Sequence, residues 1–276
     1  MTKKRPIRLV LADMDGTLLN DEGEVTPATS EAIRAVQQRG IVFAACTGRF
    51  PENAAITIRD GGIDCPIIAL NGGCITEKTY GSLITSHPMP KGKAVDLFHV
   101  LEGLEVPYYM FGNKAVYARD PEDPHHSIMK YGNRLVREAD VRYYYGPDAC
   151  RNALAEDMYK YYIYTKPGLM PLDDIKKALE PIQGVALTQS SETNIEVMPE
   201  GIDKGTGAKE LAEYLGIKKE ETMAIGDQDN DIPMLMASGF AVAMGNAASH
   251  VFEHADAVTK SNADDGVAYA LKTYIS

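Results

Sequence analysis

Long apolar runs are missing where they would matter for targeting. Behind the basic Met1 to Arg5, the apolar stretch Ile7 to Ala12 meets Asp13 too early for a signal peptide or a membrane span. Basic residues are in short supply as well. With 28 Lys and Arg against 39 Asp and Glu, the formal net charge is -11, which opposes attraction to nucleic acid or to an anionic membrane. Cysteine is scarce: Cys46, Cys65, Cys74 and Cys150 have no paired zinc-type spacing, and several lie in apolar stretches where cysteine acts as a small hydrophobe. Internal repeats and low-complexity tracts are absent. These shortages lead to the expectation of a cytoplasmic chain, a monomer or small homo-oligomer, with a small-molecule partner and neither nucleic acid nor membrane. What is present is apolar content of 45% over 276 residues, enough for one large domain or two smaller ones.

The apolar runs that do occur are short and alternate with helical patterns. Ile7 to Ala12, Ile41 to Cys46 and Pro66 to Leu70 read as buried strands, separated by helices predicted over Ala28 to Arg39, behind Thr26-Pro27, and over Pro51 to Asp60. This βαβαβ pattern predicts a parallel sheet with helices on both faces. After Asn71-Gly72-Gly73, the runs Cys74 to Glu77 and Leu83 to Ser86 predict a hairpin. A tyrosine-rich region of α+β character follows, with helices near Lys91 to Leu101, Ala149 to Met158 and Leu172 to Glu180. Its strands are predicted at Val106 to Phe111, Ala115 to Ala118, Tyr159 to Thr165 and Val185 to Gln189. The buried-strand texture returns at Ile195 to Met198, with helices at Lys204 to Leu215, Ile232 to Ala237, Ala247 to His254 and Asp264 to Tyr274. Strands are predicted at Thr222 to Ile225, Phe240 to Met244 and Ala257-Val258. The expected fold is therefore α/β, with a Rossmann-like parallel-sheet core over residues 1–84 and 196–276 and an inserted α+β domain over 85–195.

Chemistry is expected where the first strand ends, at Asp13-Met14-Asp15-Gly16-Thr17. Ligands of open α/β sheets bind beyond the carboxyl ends of the strands. Once a strand ends, irregular backbone can turn two carboxylates toward one point, with Gly16 easing the bend. Such a pair suits a metal-assisted reaction, one carboxylate attacking an electrophile while the other moves protons. A strand-ending Asx turn and a calcium loop are the alternatives. The calcium loop fails its glycine test twice: counted from Asp13, the sixth and twelfth places hold Leu18 and Glu24, and counted from Asp227 they hold Ile232 and Ser238. Two further strand ends add Thr47-Gly48 and Asp227, Asn230 and Asp231, and Lys204 opens a helix. Carboxylate oxygens suit magnesium, while a lysine, a hydroxyl, an amide and backbone N–H groups suit a phosphoryl group. Taken alone, Lys204 reads as a solvated helix residue and Thr47 as an N-cap.

Asp13-Met14-Asp15-Gly16-Thr17-Leu18, Ala45-Cys46-Thr47-Gly48-Arg49, Gly201-Ile202-Asp203-Lys204-Gly205 and Gly226-Asp227-Gln228-Asp229-Asn230-Asp231 together resemble the four motifs of the haloacid dehalogenase superfamily, and of its Cof-like sugar-phosphate phosphatases in particular. The resemblance implies that Asp13 is the nucleophile, forming an aspartyl-phosphate, and that Asp15 protonates the leaving alcohol and then activates water. It implies Mg²⁺ as cofactor, held by Asp13, the backbone carbonyl of Asp15 and Asp227, with Asp231 in support. The phosphate would be bound by Thr47, Gly48, Lys204, Asn230 and the Met14 backbone N–H. The insertion resembles the class IIB cap, and Asn71-Gly72-Gly73 the family's turn before it.

The resemblance thus implies a magnesium-dependent phosphatase of small phosphorylated metabolites, sugar phosphates first. A phosphomutase of the same superfamily is the enzyme alternative. A non-catalytic metabolite sensor is the other, and the presence of both Asp13 and Asp15 argues against it. Within the inserted domain, the tyrosines at 143–145 and 159–164 are expected to be half-buried packing, and His125 and His126 to face solvent. The cap is expected to complete the pocket. Ser190-Ser191-Glu192-Thr193-Asn194 is the candidate reader of the leaving group, with an ordinary polar turn as the alternative.

Overall fold

The computed structural model of the chain describes residues 6–112, 115–120, 141–165, 168–189 and 192–275. Its elements begin with β1 (Leu9–Ala12), α1 (Pro27–Gln37), β2 (Val42–Cys46), α2 (Pro51–Asp60), β3 (Ile67–Ala69), β4 (Cys74–Thr76) and β5 (Leu83–Ser86). Next come α3 (Lys91–Leu104), β6 (Tyr108–Phe111), β7 (Ala115–Ala118), β8 (Arg142–Tyr145), α4 (Pro147–Ala153), β9 (Lys160–Tyr164), α5 (Leu172–Leu179), β10 (Val185–Thr188) and β11 (Asn194–Pro199). The chain ends with α6 (Lys204–Tyr214), β12 (Thr222–Gly226), α7 (Ile232–Ala237), β13 (Phe240–Ala243), β14 (Ala257–Val258) and α8 (Gly266–Tyr274). It divides into two compact units, residues 1–86 with 203–276, and residues 87–202.

The first unit carries an eight-stranded sheet in the order β14-β13-β12-β1-β2-β3-β4-β5. It is parallel from β14 to β3 and ends in an antiparallel hairpin. Every residue of β1 is buried, as expected for a central strand covered on both faces, and each of its larger aliphatic side chains contributes about 2 kcal/mol of hydrophobic stabilisation. Leu9 and Leu11 pack with Ala44, Ile68, Leu211, Ala224 and Met234. The helix α1 starts as its sequence predicts, with the Thr26 hydroxyl accepting from Thr29 N–H at 3.1 Å and Pro27 in the first turn. The stretch Ser249–His254, expected to be an α-helix, forms tighter 3₁₀ turns.

The second unit has a six-stranded sheet in the order β10-β11-β9-β6-β7-β8, antiparallel except for the parallel β7–β8 pair. Its period-two alternation puts Tyr108, Met110, Tyr161, Ile163, Ile195 and Val197 in one apolar cluster with Leu97, Leu101, Ile175 and Leu179 of α3 and α5. On the alternate positions, Tyr109 contacts the rings of Tyr162 and Tyr164. There too the Lys160 ammonium lies 3.2 Å from Glu196 and 4.6 Å from the Phe111 ring centre.

Three expectations are corrected. The strand at 194–199 pairs with β9 and β10, so it belongs to the second unit, and the chain returns to the first unit at Asp203 rather than at 196. A short apolar run reads alike in either sheet. Tyr143 to Tyr145 form a strand, with Tyr144 and Tyr145 exposed, whereas Tyr161 and Tyr164 are buried rather than half-buried. The helix expected over 149–158 is the shorter α4, which starts at Pro147, the residue type favoured in a first turn. His125 and His126 lie outside the described residues. No described helix is long and apolar enough to cross a membrane.

Candidate active site

Parallel pairing sets Ala12 of β1 opposite Ile225 of β12 and Ala45 of β2, so Asp13, Asp227 and Thr47 leave their strands side by side. Asp13 keeps its backbone N–H on the Ile225 carbonyl at 3.0 Å, which ties its side chain to the strand end. The following turn closes with Leu18 N–H on the Asp13 carbonyl and Leu19 N–H on the Met14 carbonyl. Gly16 is essential to that turn. It sits at φ +80°, and a Cβ there would lie 2.5 Å from Asp227 Oδ2, so only glycine admits both the left-handed backbone and the close carboxylate.

Lys204 joins the parts. Its Nζ donates to Asp13 Oδ1 at 2.5 Å and to Asp231 Oδ1 at 2.7 Å, and the side chain is 1% exposed. It occupies the first position of α6, whose N-cap Asp203 accepts from Thr206 N–H at 2.7 Å. The other oxygen of Asp231 accepts from the N–H groups of Asp227 and Gln228, so Asp231 is engaged on both sides. Asp227 accepts from the Thr17 hydroxyl at 2.6 Å. Carboxylate oxygens of Asp13, Asp227 and Asp231 lie within 4.8 Å of one another.

Three buried carboxylates thus face one ammonium. Burial first, then the charge of Asp231, pushes the Asp13 carboxyl well above the usual aspartate range, with Lys204 acting in the opposite sense. Burial and Asp231 likewise raise Asp227 to about 6, although the Thr17 hydroxyl opposes the rise. Burial alone would pull the Lys204 ammonium down, but Asp13 and Asp231 overcome it and hold the lysine well above its ordinary value. The excess of negative charge and the all-oxygen donor set fit a hard divalent cation.

Thr47 is buried, and its N–H is taken by the Ile68 carbonyl at 2.8 Å, while its hydroxyl accepts from Arg49 N–H at 3.1 Å. It is not the cap of α2, whose N-cap position is Phe50. Asn71 links Thr47 to the fourth motif: its N–H donates to the Thr47 carbonyl at 2.9 Å, and its Oδ1 lies 3.5 Å from Asn230 Nδ2. The backbone pays for that placement, since Leu70, Asn71 and Gly72 all have positive φ. Gly72 is required as well, because a Cβ there would lie 2.2 Å from the Asp203 carbonyl oxygen. Asp15 stands apart from the lysine and is paired with Arg49 instead. Gly48 follows Thr47, and Met14, fully buried, follows Asp13.

The family profile of the haloacid dehalogenase-like hydrolases matches residues 10–271. The chain belongs to this family. Its Cof-like type is the one that the four motifs resemble. Among similar proteins, the phosphatase YwpJ of Bacillus subtilis (strain 168) is 32% identical over 96% of this chain and 99% of its own length. The 5-amino-6-(5-phospho-D-ribitylamino)uracil phosphatase YcsE of the same organism is 30% identical over 98% of this chain and 96% of its own. A solved haloacid dehalogenase-like hydrolase from B. subtilis superposes with a TM-score of 0.84 at 28% identity, covering 98% of this chain and all of that one. This haloacid dehalogenase-like chain is thus an enzyme of the hydrolase class, and its named relatives are phosphatases.

Several residues at the site escaped the sequence reading of this haloacid dehalogenase-like hydrolase. Thr17 and Arg49 were inside the motifs, but nothing in their spacing named their partners. Asn246 Nδ2 donates to the Gly16 carbonyl at 2.8 Å, and Asn262 Nδ2 to the Leu19 carbonyl at 3.1 Å, fastening the turn after β1 from the far end of the chain. No local signal marks such a contact across more than two hundred residues.

Proposed function

We propose that the chain is a magnesium-dependent phosphatase of small phosphorylated metabolites, sugar phosphates in particular, working through an aspartyl-phosphate on Asp13. The observation that carries this reading is the bridge from Lys204 to both Asp13 and Asp231 at a strand end shared with Asp227. Asp13 attacks phosphorus as the bond to the leaving oxygen breaks, and Asp15 gives that oxygen its proton. Asp15 then takes a proton from water, which attacks the aspartyl-phosphate, releases inorganic phosphate and restores Asp13. Lys204, the Thr47 hydroxyl, Asn230 and the backbone N–H groups of Met14 and Gly48 orient the phosphoryl oxygens.

Asp13, the backbone carbonyl of Asp15 and Asp227 would hold Mg²⁺, with Asp231 behind them. When bound, the ion supplies positive charge between two anions that would otherwise repel. YwpJ and YcsE, both named phosphatases, support the reaction class.

The test is phosphate release from a panel of phosphorylated metabolites with and without Mg²⁺. Asp13→Asn is expected to lose roughly 10⁴-fold or more in turnover while keeping the fold, because an amide of nearly the same shape is a poor nucleophile. Excess Ca²⁺ is expected to suppress activity, since calcium takes more ligands at longer distances and draws in both oxygens of Asp13. Release by Asp13→Asn at the wild-type rate, or full activity in a chelator with metal-free protein, contradicts the reading. Isomerised phosphosugar in place of free phosphate would assign a mutase.

A further inference from the structure

Asp13 and Asp231 share a lysine, whereas Asp15 is gripped by an arginine. Arg49 Nε lies 2.8 Å from Asp15 Oδ2 and Nη2 lies 2.5 Å from Oδ1, so the planar guanidinium engages both carboxylate oxygens. The two partners are unequally anchored. Arg49 is 15% exposed, and Asp15 54%. Arg49 also donates from Nη1 to the Thr57 hydroxyl of α2 at 3.4 Å, donates its backbone N–H to Thr47 Oγ1, and accepts Leu70 N–H on its carbonyl at 3.0 Å. The arginine is fixed by the loop after β2 and by α2, so the exposed carboxylate takes its orientation from the arginine.

We propose that Arg49 is a positioning residue for the hydrolysis, acting through Asp15 by fixing the plane and direction of its carboxylate rather than by holding the phosphoryl group. The inference rests on the reading of Asp15 as the proton carrier. A guanidinium does not give up its own proton, so Arg49 cannot be that carrier. Each carboxylate oxygen accepts from two directions, so the guanidinium can hold the group while one direction on each oxygen stays open to water or to the leaving oxygen. Lysine keeps the charge but has no planar fork, and it cannot reproduce the two-pronged contact.

The experiment is a double-mutant cycle of Asp15→Asn and Arg49→Met, with Arg49→Lys beside it. It is read on a sugar phosphate and on 4-nitrophenyl phosphate, whose leaving group needs little protonation. Arg49→Met is expected to lower kcat rather than raise KM, with a loss on the sugar phosphate about tenfold greater than on the aryl phosphate. On the aryl phosphate, the same substitution in the Asp15→Asn background is expected to change the rate by less than about threefold. Arg49→Lys, which leaves the backbone contacts in place, is expected to fall with Arg49→Met. Full additivity in the cycle, equal losses on both substrates with a raised KM, or recovery by Arg49→Lys would each overturn the proposal. Asp13→Asn run alongside separates the two readings: if active, it overturns the proposed site itself, and if inactive beside an additive cycle, it overturns the role of Arg49 alone.

Discussion

Each unit of the chain buries a lysine against carboxylates, and the two arrangements differ in charge. In the second unit, Lys160 meets Glu196 within a sheet, 2% and 3% exposed, with Phe111 and Tyr162 rings beside the ammonium. Each of the two charges meets an opposite one, as a buried charge must if it is not to stay uncompensated. In the first unit, Lys204 sits among Asp13, Asp227 and Asp231 beyond the strand ends, and the carboxylates outnumber it. A buried cation and anion within a sheet offset each other's charge. An imbalance of buried charge at an irregular sheet edge is tolerated where something else supplies positive charge, and the raised carboxyls of Asp13 and Asp227 record that demand.

The largest test of this contrast removes each lysine in turn. Lys204→Met is expected to lower kcat/KM by on the order of 10³ or more, because on the proposed reading it takes away a charge aimed at the transferring phosphoryl group. No apolar substitution of Asp231 should restore the rate. Lys160→Met is expected instead to cost about 3 to 5 kcal/mol of stability by leaving Glu196 buried without its lysine, and the double variant Lys160→Met/Glu196→Leu to recover most of it. Urea unfolding measures both. A double variant no more stable than the single would show that the loss does not come from a buried Glu196 left without its lysine.

The next test is the pH dependence of the metal-free protein. A carboxyl raised in the folded state binds its proton more tightly there than in the unfolded chain, so its contribution to stability falls as pH rises. For Asp227 the window runs from the ordinary 3.8 to about 6. Above it the full penalty, roughly 3 kcal/mol, is in force. Asp227→Asn escapes that penalty, so in chelator its stability relative to the wild type is expected to grow between pH 4 and 7, by about 3 kcal/mol at the plateau. Mg²⁺ should raise the unfolding midpoint of the wild type more than that of the variant. A stability difference independent of pH would show that Asp227 carries no such charge burden.

Much of the first unit was legible because its chemistry is written in contiguous motifs at strand ends. Asp13, Thr47 and Asp227 each follow a short apolar run, and an apolar run that ends in polar residues marks both a buried strand and the edge where ligands bind. Lys204 was legible through its motif, although its burial contradicts what a lone lysine at a helix start suggests. The strand Asn194–Pro199 was assigned to the wrong sheet because burial on both faces erases the period that would reveal its neighbours. Pairings between remote residues were beyond reach for a different reason. Arg49 with Asp15, Asn71 with Asn230 and Asn246 with Gly16 depend on backbone placed by the whole sheet, and no local pattern encodes them. The strained Leu70 was hidden too, since nothing in an aliphatic residue announces a left-handed backbone.

The smallest expected effect concerns the segment before β11, of which Ser190 and Ser191 lie outside the described residues. Glu192 is exposed, whereas Asn194 is fully buried at the first position of β11, opposite Tyr164 in the register. Its carbonyl accepts from Gln189 Nε2 at 3.2 Å, and Gln189 Oε1 in turn accepts from Lys176 at 2.8 Å. These contacts belong to an ordered strand start, which the polar-turn alternative also requires, so geometry within the second unit does not choose between them. Substrate dependence does. If this segment reads the leaving group, Glu192→Ala and Asn194→Ala should each lower kcat/KM on sugar phosphates by about tenfold, the scale of one or two lost hydrogen bonds to hydroxyls. 4-Nitrophenyl phosphate, which offers no such hydroxyls, should lose less. Asn194→Ala is also expected to cost about 1 to 3 kcal/mol of stability through its burial, whereas the exposed Glu192→Ala should stay within about 0.5 kcal/mol. Glu192→Ala is therefore the cleaner probe: a loss confined to sugar phosphates, with stability unchanged, assigns recognition to this segment. Equal effects on every substrate, or none, leave it as the turn that starts the strand.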